Sequence, residues 1–296
     1  MIPGFRWPLS YFWEGFRSTV SYAGHPTYFL GELSPQNHWA YYPVAFLLKS
    51  PLPFLVLLIL SVWLGATRRL KIPAWQWLTP LLLFTAVLPF LNLGIRQVLP
   101  IYPFLILVAA QGAGWLWTRG GKSSRFLPRA LTAVLLVFQT MSVASSFPSQ
   151  VGYLNEMVRP EKQLFWLGDS NLDLGLDSKR LAMEAKRRGW TKIKLAYFGG
   201  SDPALYGMKW DYWTQKDLAG PQPGWVYAVN VSFLQLGPAY FPDAEKINHG
   251  WISRGVPTGM VGSTWYFYEC PGKALSDSSP GLASAPPFKY FEGLNR

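Results

Sequence analysis

Between Pro51 and Phe147 the chain carries four apolar runs, at about residues 51–66, 74–93, 98–117 and 130–147. Each is long enough, or nearly so, to cross a hydrocarbon core of about 30 Å, which takes about 20 helical residues. No other feature restricts the fold as strongly. Short charged loops separate the runs, a pattern that helices buried in a water-soluble core do not require. Charge follows the same division. Residues 1–147 hold two acids, Glu14 and Glu32, against eleven Lys and Arg, whereas residues 148–296 hold fourteen acids and sixteen bases. The first half reads as a membrane protein and the second as an ordinary mixed domain.

The basic residues also set an orientation. Arg68, Arg69 and Lys71 fall between the first and second runs, and Arg119, Lys122, Arg125 and Arg129 between the third and fourth, while Arg96 alone lies between the second and third. Cytoplasmic loops collect Lys and Arg. Loops 67–73 and 118–129 are therefore expected in the cytoplasm and both chain termini outside it. Trp39, Trp75, Trp77, Trp115 and Trp117 fall near run ends, as interfacial aromatics do. A net charge of +11 and a pI near 9.7 could suit nucleic acid, but the bases sit between apolar runs and form no single stripe, so no nucleic-acid partner is expected. The single cysteine, Cys270, excludes an intrachain disulfide.

The expected organisation is an extracytoplasmic N-terminal loop or tail (1–50), transmembrane helices (51–147), an extracytoplasmic α/β domain (148–272) and a loosely ordered tail (273–296). The N-terminal stretch has no charged segment followed by an apolar one, as a signal peptide would. It reads as an external loop whose preceding helices are missing. In the outer domain, "QLFWLG" (163–168), "KIKLAYF" (192–198), "WVYAVNVSF" and "STWYFYEC" read as strands, and 178–188 as a helix with Asp177 at its N-cap and Gly189 just past its end. Strand, helix, strand in that order predicts a small α/β domain with a parallel pair.

The stretch "LGDSNLDLGLDSKR" places acids and an amide at alternate positions like a calcium loop. Counted from Asp169, however, position six is Leu174 rather than Gly, and position twelve is Arg180 rather than Glu. The residues that close a calcium coordination sphere are missing. A strand-to-helix loop needs the same residue types to satisfy free backbone N–H groups. Asp169, Asn171 and Asp173 would then be capping elements, or ligand contacts at the C-terminal end of a strand. His25, His38 and His249 lack zinc-like spacing and cysteine partners, so no metal site is expected.

Arg96 and Lys49 each have two readings. Either is an interfacial anchor, or a ligand for a lipid phosphate, with arginine's planar fork suited to that anion. Glu32 is either a solvated loop residue or an acid–base group.

Six stretches in order, "GHPTYFLGELS", "HWAYYPVAFLLKSPLP", "LNLGIRQVLPIYPFL", "YLNEMV", "DSNLDLGLD" and "KLAYFGGSDPALYG", resemble the C-terminal half of bacterial protein-mannosyltransferase-like, phospholipid carrier-dependent membrane glycosyltransferases. Leu174 and Leu176 stand where that family's pattern has Trp and Gln. The resemblance implies a GT-C-like arrangement of about four transmembrane helices followed by a small extracytoplasmic α/β domain, in the inner membrane of a bacterium. It implies transfer of a sugar from a polyprenyl-phosphate donor on the outer face, with no separate cofactor. Arg96 and Lys49 would hold the lipid phosphate. His25, Asp169, Asn171 and Asp173 would contact sugar, and Glu32 is a weak catalytic candidate. The family's catalytic acid belongs to an external loop with no counterpart here, so a missing N-terminal part or a separate chain would supply it. The competing expectation is a non-catalytic, membrane-anchored binding or assembly protein that uses the outer domain for recognition.

Overall fold

The computed structural model describes residues 10–21, 26–87, 92–119, 126–159, 162–197 and 201–270. It is mostly helical, with a small sheet region. Helix α1 (Ser10–Ser21) precedes a hairpin of β1 (Thr27–Phe29) and β2 (Glu32–Ser34), then α2 (Tyr41–Lys49), α3 (Leu52–Ala66), α4 (Ala74–Val87), α5 (Tyr102–Thr118) and α6 (Phe126–Ser145). A 3-10 turn, Ile95–Ile101, runs directly into α5.

Two segments, Ile95–Thr118 and Phe126–Ser145, are long and apolar enough to cross a membrane, at 24 and 20 residues. Helices α2 and α3 meet the same test only as a pair, bent by 113°, which makes three candidate spans if the pair counts as one. The bend has a local cause. Pro51 forces the preceding residue out of the helical region, and Ser50 is accordingly extended (φ −94°, ψ 134°). The expected run at 74–93 forms α4, described as far as Val87; residues 88–91 lie outside the described set. The outward apolar side chains of α6, Val134, Val137 and Met141 among them, stand exposed, as a lipid-facing helix requires. Between α3 and α5 the contact is close. A Cβ on Gly112 would lie 2.2 Å from Ser61 Oγ, which is itself tied to the Leu57 carbonyl at 2.8 Å.

The outer domain follows with α7 (Gln163–Trp166), α8 (Ser178–Arg188), β3 (Ile193–Ala196), β4 (Asp211–Tyr212), α9 (Gln215–Ala219), β5 (Val226–Asn230), α10 (Val231–Tyr240), α11 (Ala244–Asn248), α12 (Trp251–Arg254), β6 (Gly259–Val261) and β7 (Trp265–Glu269). The sheet order is β4-β3-β5-β7-β6. Strand β3 pairs parallel with β4 and β5, while β7 runs antiparallel to β5 and β6. A sheet with parallel pairing is thus present, but the parallel partners of β3 are β4 and β5 rather than the expected strand at 163–168. Both faces are covered, and the strands alternate between two cores. Ile193, Leu195, Ala228, Trp265 and Phe267 face α8 with Leu181 and Ala185. Tyr227, Val229 and Tyr268 face Phe233, Ile247 and Ile252 on the other side.

Three local expectations need correction. "QLFWLG" is not a strand: 163–166 form a helical turn, and only Leu167 makes a bridge, to Phe29. "WVYAVNVSF" is a strand only to Asn230, whose side-chain oxygen accepts from Ser232 N at 2.8 Å and starts α10. Asp177 marks the start of α8 but makes no side-chain cap. Its carboxylate instead accepts from Ser263 N (2.8 Å), Thr264 Oγ1 (3.0 Å) and Arg180 Nη1 (2.5 Å).

The sheet's covered second face leaves one charge to satisfy. Lys194, a polar position in the strand's alternation, is buried and meets Asp217 at 2.5 Å. Asp217 also accepts from Thr214 N and Oγ1 and from Tyr227 OH, each at 2.6 Å. Burial alone would raise the Asp217 pKa; these donors, Lys194 foremost, overcome that and hold it at about 2. A depressed carboxylate stabilises the fold above its unfolded pKa of about 4 and loses that contribution as pH falls towards 2. Acid unfolding of the outer domain, followed by tryptophan fluorescence, should therefore begin below about pH 4. Asp217→Ala should cost about 3–5 kcal/mol at neutral pH, because it strands a buried ammonium, and should flatten the acid limb of the stability curve. An unchanged acid limb in that variant would show that Asp217 is not the controlling group.

Candidate functional site

The residues singled out by sequence converge on the junction between the membrane helices and the outer domain. Three segments meet there: the hairpin with the start of α2, the 92–98 stretch before α5, and the loop 168–173. The hairpin turn is tight, with Leu30 and Gly31 both at positive φ (53° and 84°), the pairing that a two-residue turn of this type requires. Leu30 N donates to Trp166 O at 3.2 Å, so the hairpin is pinned to the outer domain.

Asn171 is the centre of the junction, with 0% of its surface exposed. Its Nδ2 donates to Tyr41 OH (2.7 Å) and Gly168 O (3.2 Å), and its Oδ1 accepts from Ile95 N (2.9 Å). Its carbonyl accepts from Lys49 Nζ, which also donates to Val151 O at 2.5 Å. Ser170 Oγ donates to Leu93 O at 2.6 Å. Gly94 (φ 89°) lets the two loops approach: a Cβ there would lie 2.4 Å from Ser170 Oγ. The C-terminus of α2 is tied down in parallel. Asn155, from "YLNEMV", donates through Nδ2 to Leu47 O (2.6 Å) and Ser50 O (2.7 Å), and its N–H donates to Leu48 O (2.8 Å).

Beside this hub lies a cluster of polar groups. Tyr42 is in electrostatic range of both Arg96 and Asp169. Arg96 is exposed, and its Nε donates to Leu93 O at 3.1 Å. Asp169 adopts a positive φ of 56°, a conformation that Asp tolerates better than most residues. Asn92 is 5% exposed; its Nδ2 donates to His38 O at 3.3 Å, but its Oδ1 has no partner, and neither has His38 Nε2. The His38 ring packs on Phe29 at 5.5 Å, and Phe29 on Tyr41 at 5.6 Å. Buried polar atoms without partners are uncommon and costly, so these groups are suited to a polar ligand offering both donors and acceptors.

The structure thus brings together Arg96, Asp169, Asn171 and Lys49, with different duties. Two of Lys49's three N–H groups go to backbone carbonyls, so it holds the loop. Asp173 turns away towards the sheet: it accepts from Asn230 Nδ2 (2.8 Å) and Gly175 N (2.6 Å), and burial raises its pKa. Glu32 stands exposed on β2. His25 lies outside the described residues. Among the described residues no group of three or more His, Cys, Asp or Glu could hold a metal ion. Sequence reading weighed His38 only as a metal ligand and gave no site role to Tyr41, Tyr42, Asn92 or Asn155. The available signal was the run of polar groups in "NHWAYYPV", directly before an apolar helix.

No family model, no curated protein and no solved structure matches the chain. The functional reading therefore rests on these residues.

Asn171→Ala should remove a donor from Tyr41 and an acceptor from Ile95. With about 1–3 kcal/mol for each buried group left unsatisfied, a loss of about 2–5 kcal/mol is expected in thermal or denaturant unfolding of the detergent-solubilised chain. Gly94→Ala, which forces Ser170 aside, should act in the same direction. A wild-type melting temperature for both variants would remove Asn171 from its central position.

Proposed function

We propose that the chain is the carrier-binding part of a polyprenyl-phosphate-sugar-dependent glycosyltransferase working on the outer face of a bacterial inner membrane. The observation that carries this reading is that exposed Arg96 and half-buried Asp169 both lie in electrostatic range of Tyr42, while His38 Nε2 and Asn92 Oδ1, on the two segments that flank it, lack partners. An arginine at the end of a membrane segment can clamp a phosphate in two hydrogen bonds. The unpartnered Asn92 amide oxygen and His38 ring nitrogen suit the hydroxyls of a sugar, and the adjoining apolar helices suit the prenyl chain. In the transfer step the bond from the anomeric carbon to the carrier phosphate breaks, a bond to the acceptor oxygen or nitrogen forms, and Arg96 stabilises the charge left on the phosphate. Lys49 keeps Asn171 in place through its carbonyl.

The base that takes the acceptor's proton comes, in this proposal, from a separate chain, because Glu32 stands exposed on the hairpin. The reading includes four spans, with α4 as the second, and both ends outside the cytoplasm. A non-catalytic binding or assembly role is the second reading, and it is favoured by the same exposure of Glu32.

In reconstituted vesicles the chain should bind polyprenyl phosphate. Arg96→Ala should weaken that binding about 10–100-fold, the worth of about 1.5–3 kcal/mol for hydrogen bonds to a charged group. Equal binding by wild type and Arg96→Ala would sink the phosphate assignment, and sugar transfer by the chain without a partner would sink the separate-base proposal. Orientation has its own check. In intact cells an impermeant thiol reagent should label Lys192→Cys and spare Arg69→Cys; the reverse pattern would invert the topology.

A further inference from the structure

The aspartate-rich loop also presents two leucines that the polar cluster does not use. Leu174 is 53% exposed and Leu176 61% exposed. They are not on a loose segment. Asp173 Oδ1 accepts from Gly175 N at 2.6 Å, and Gly175, at φ 80°, packs on Ser201. The backbone between the leucines is therefore fixed, and both side chains are held outward. The same loop is tied to the chain that follows α6. Arg180 donates to Pro148 O (2.7 Å) and Ser149 Oγ (2.8 Å), and a small cleft is lined by both Pro148–Val151 and Leu172–Leu174, with Leu176 and Asp177.

That attachment fixes their level relative to a bilayer. Helix α6 has 20 residues, about 30 Å at 1.5 Å per residue, which matches the hydrocarbon thickness. Its last residue, Ser145, therefore falls at the boundary with the headgroups. Pro148 lies three residues on, a reach of at most about 11 Å, and the headgroup region on each side is about 5–8 Å deep. Phe147, at this same level, is 72% exposed. Lys179 stands exposed in the first turn of α8, where a cation can meet lipid phosphates. The acids of the loop point elsewhere: Asp173 is bonded to Asn230, and Asp177 to Ser263, Thr264 and Arg180.

We propose that Leu174 and Leu176 enter the headgroup region of the outer leaflet, so that the C-terminal end of the sheet rests on a lipid surface beside α6. This inference does not depend on a sugar donor. It is tested with spin labels at Leu174→Cys, Leu176→Cys and Lys192→Cys, in a Cys270→Ala background of the full chain, reconstituted in vesicles of phosphatidylcholine with phosphatidylglycerol. Lys192 precedes β3, at the other end of the parallel strands, and serves as the water-exposed reference. Labels at 174 and 176 should collide more with oxygen and less with a water-soluble nickel chelate than the label at 192. Nickel accessibility at 174 and 176 equal to that at 192 would overturn the proposal. So would low accessibility to both reagents, which would mean that a second protein surface covers the leucines. Oxidative footprinting of the unsubstituted chain in the same vesicles guards against labelling artefacts: Leu174 and Leu176 should be protected, and free oxidation of both would also overturn the proposal.

Discussion

The buried amide of Asn171 is the interaction on which the arrangement depends. It joins a helix at the start of the membrane part, a loop before a candidate span and the first loop of the outer domain, through hydrogen bonds to Tyr41, Ile95 and its own turn at Gly168. An asparagine suits this position because it donates and accepts at once. A carboxylate could accept from Ile95 N but could not donate to Tyr41. Lys49, arriving from α2, closes the loop's carbonyl side. Other bonds across the same junction reinforce it: Ser170 to Leu93, Lys49 to Val151, Asn155 to Leu47, Leu48 and Ser50, and the hairpin bond to Trp166.

How much of this was legible follows from what each signal measures. Hydropathy and charge asymmetry sum over many residues, and they set the apolar helices apart from the stretch that holds the five-stranded sheet. Strands β3 and β5, and α8 with Gly189 at its end, were readable from period and punctuation, but the pairing of β3 with β5 was not. Alternation misled at Lys194. A lysine inside a strand reads as a solvent face, yet both sheet faces are covered, and Asp217, 23 residues later, supplies its partner. No local pattern encodes a partner that distant. "QLFWLG" failed for a related reason. Its apolar content suited a strand, but its neighbours are a hairpin from the far N-terminal side and α10, and those contacts decided its conformation.

The aspartate-rich stretch shows the same limit at the scale of a site. Its spacing suggested one shared ligand, and in three dimensions the residues diverge. Asp169 faces Tyr42, Asn171 the membrane helices, Asp173 the end of β5, and Asp177 the β6–β7 turn. Four side chains at alternate positions anchor one loop to four different elements. This explains how a short segment can look dense in functional groups without forming a metal site. It also explains why Gly262 must follow β6 with a positive φ of 61°: a Cβ there would fall 2.1 Å from the Asp177 carboxylate.

Placing these polar groups on the seam has an energetic consequence. The backbone that carries Arg96 is held by Ser170 and Asn171, so the geometry of the cation and the docking of the outer domain are one equilibrium rather than two. A ligand that binds only the docked arrangement stabilises it by mass action, by about 2.7 kcal/mol at a hundredfold excess over its dissociation constant. The coupling is reciprocal. Anything that loosens the seam weakens ligand binding by the same free energy, even when it touches neither Arg96 nor Asp169. The unpartnered atoms of His38 and Asn92 fit this view. They leave the empty seam less stable than it could be, and that deficit is what a polar ligand would remove on binding.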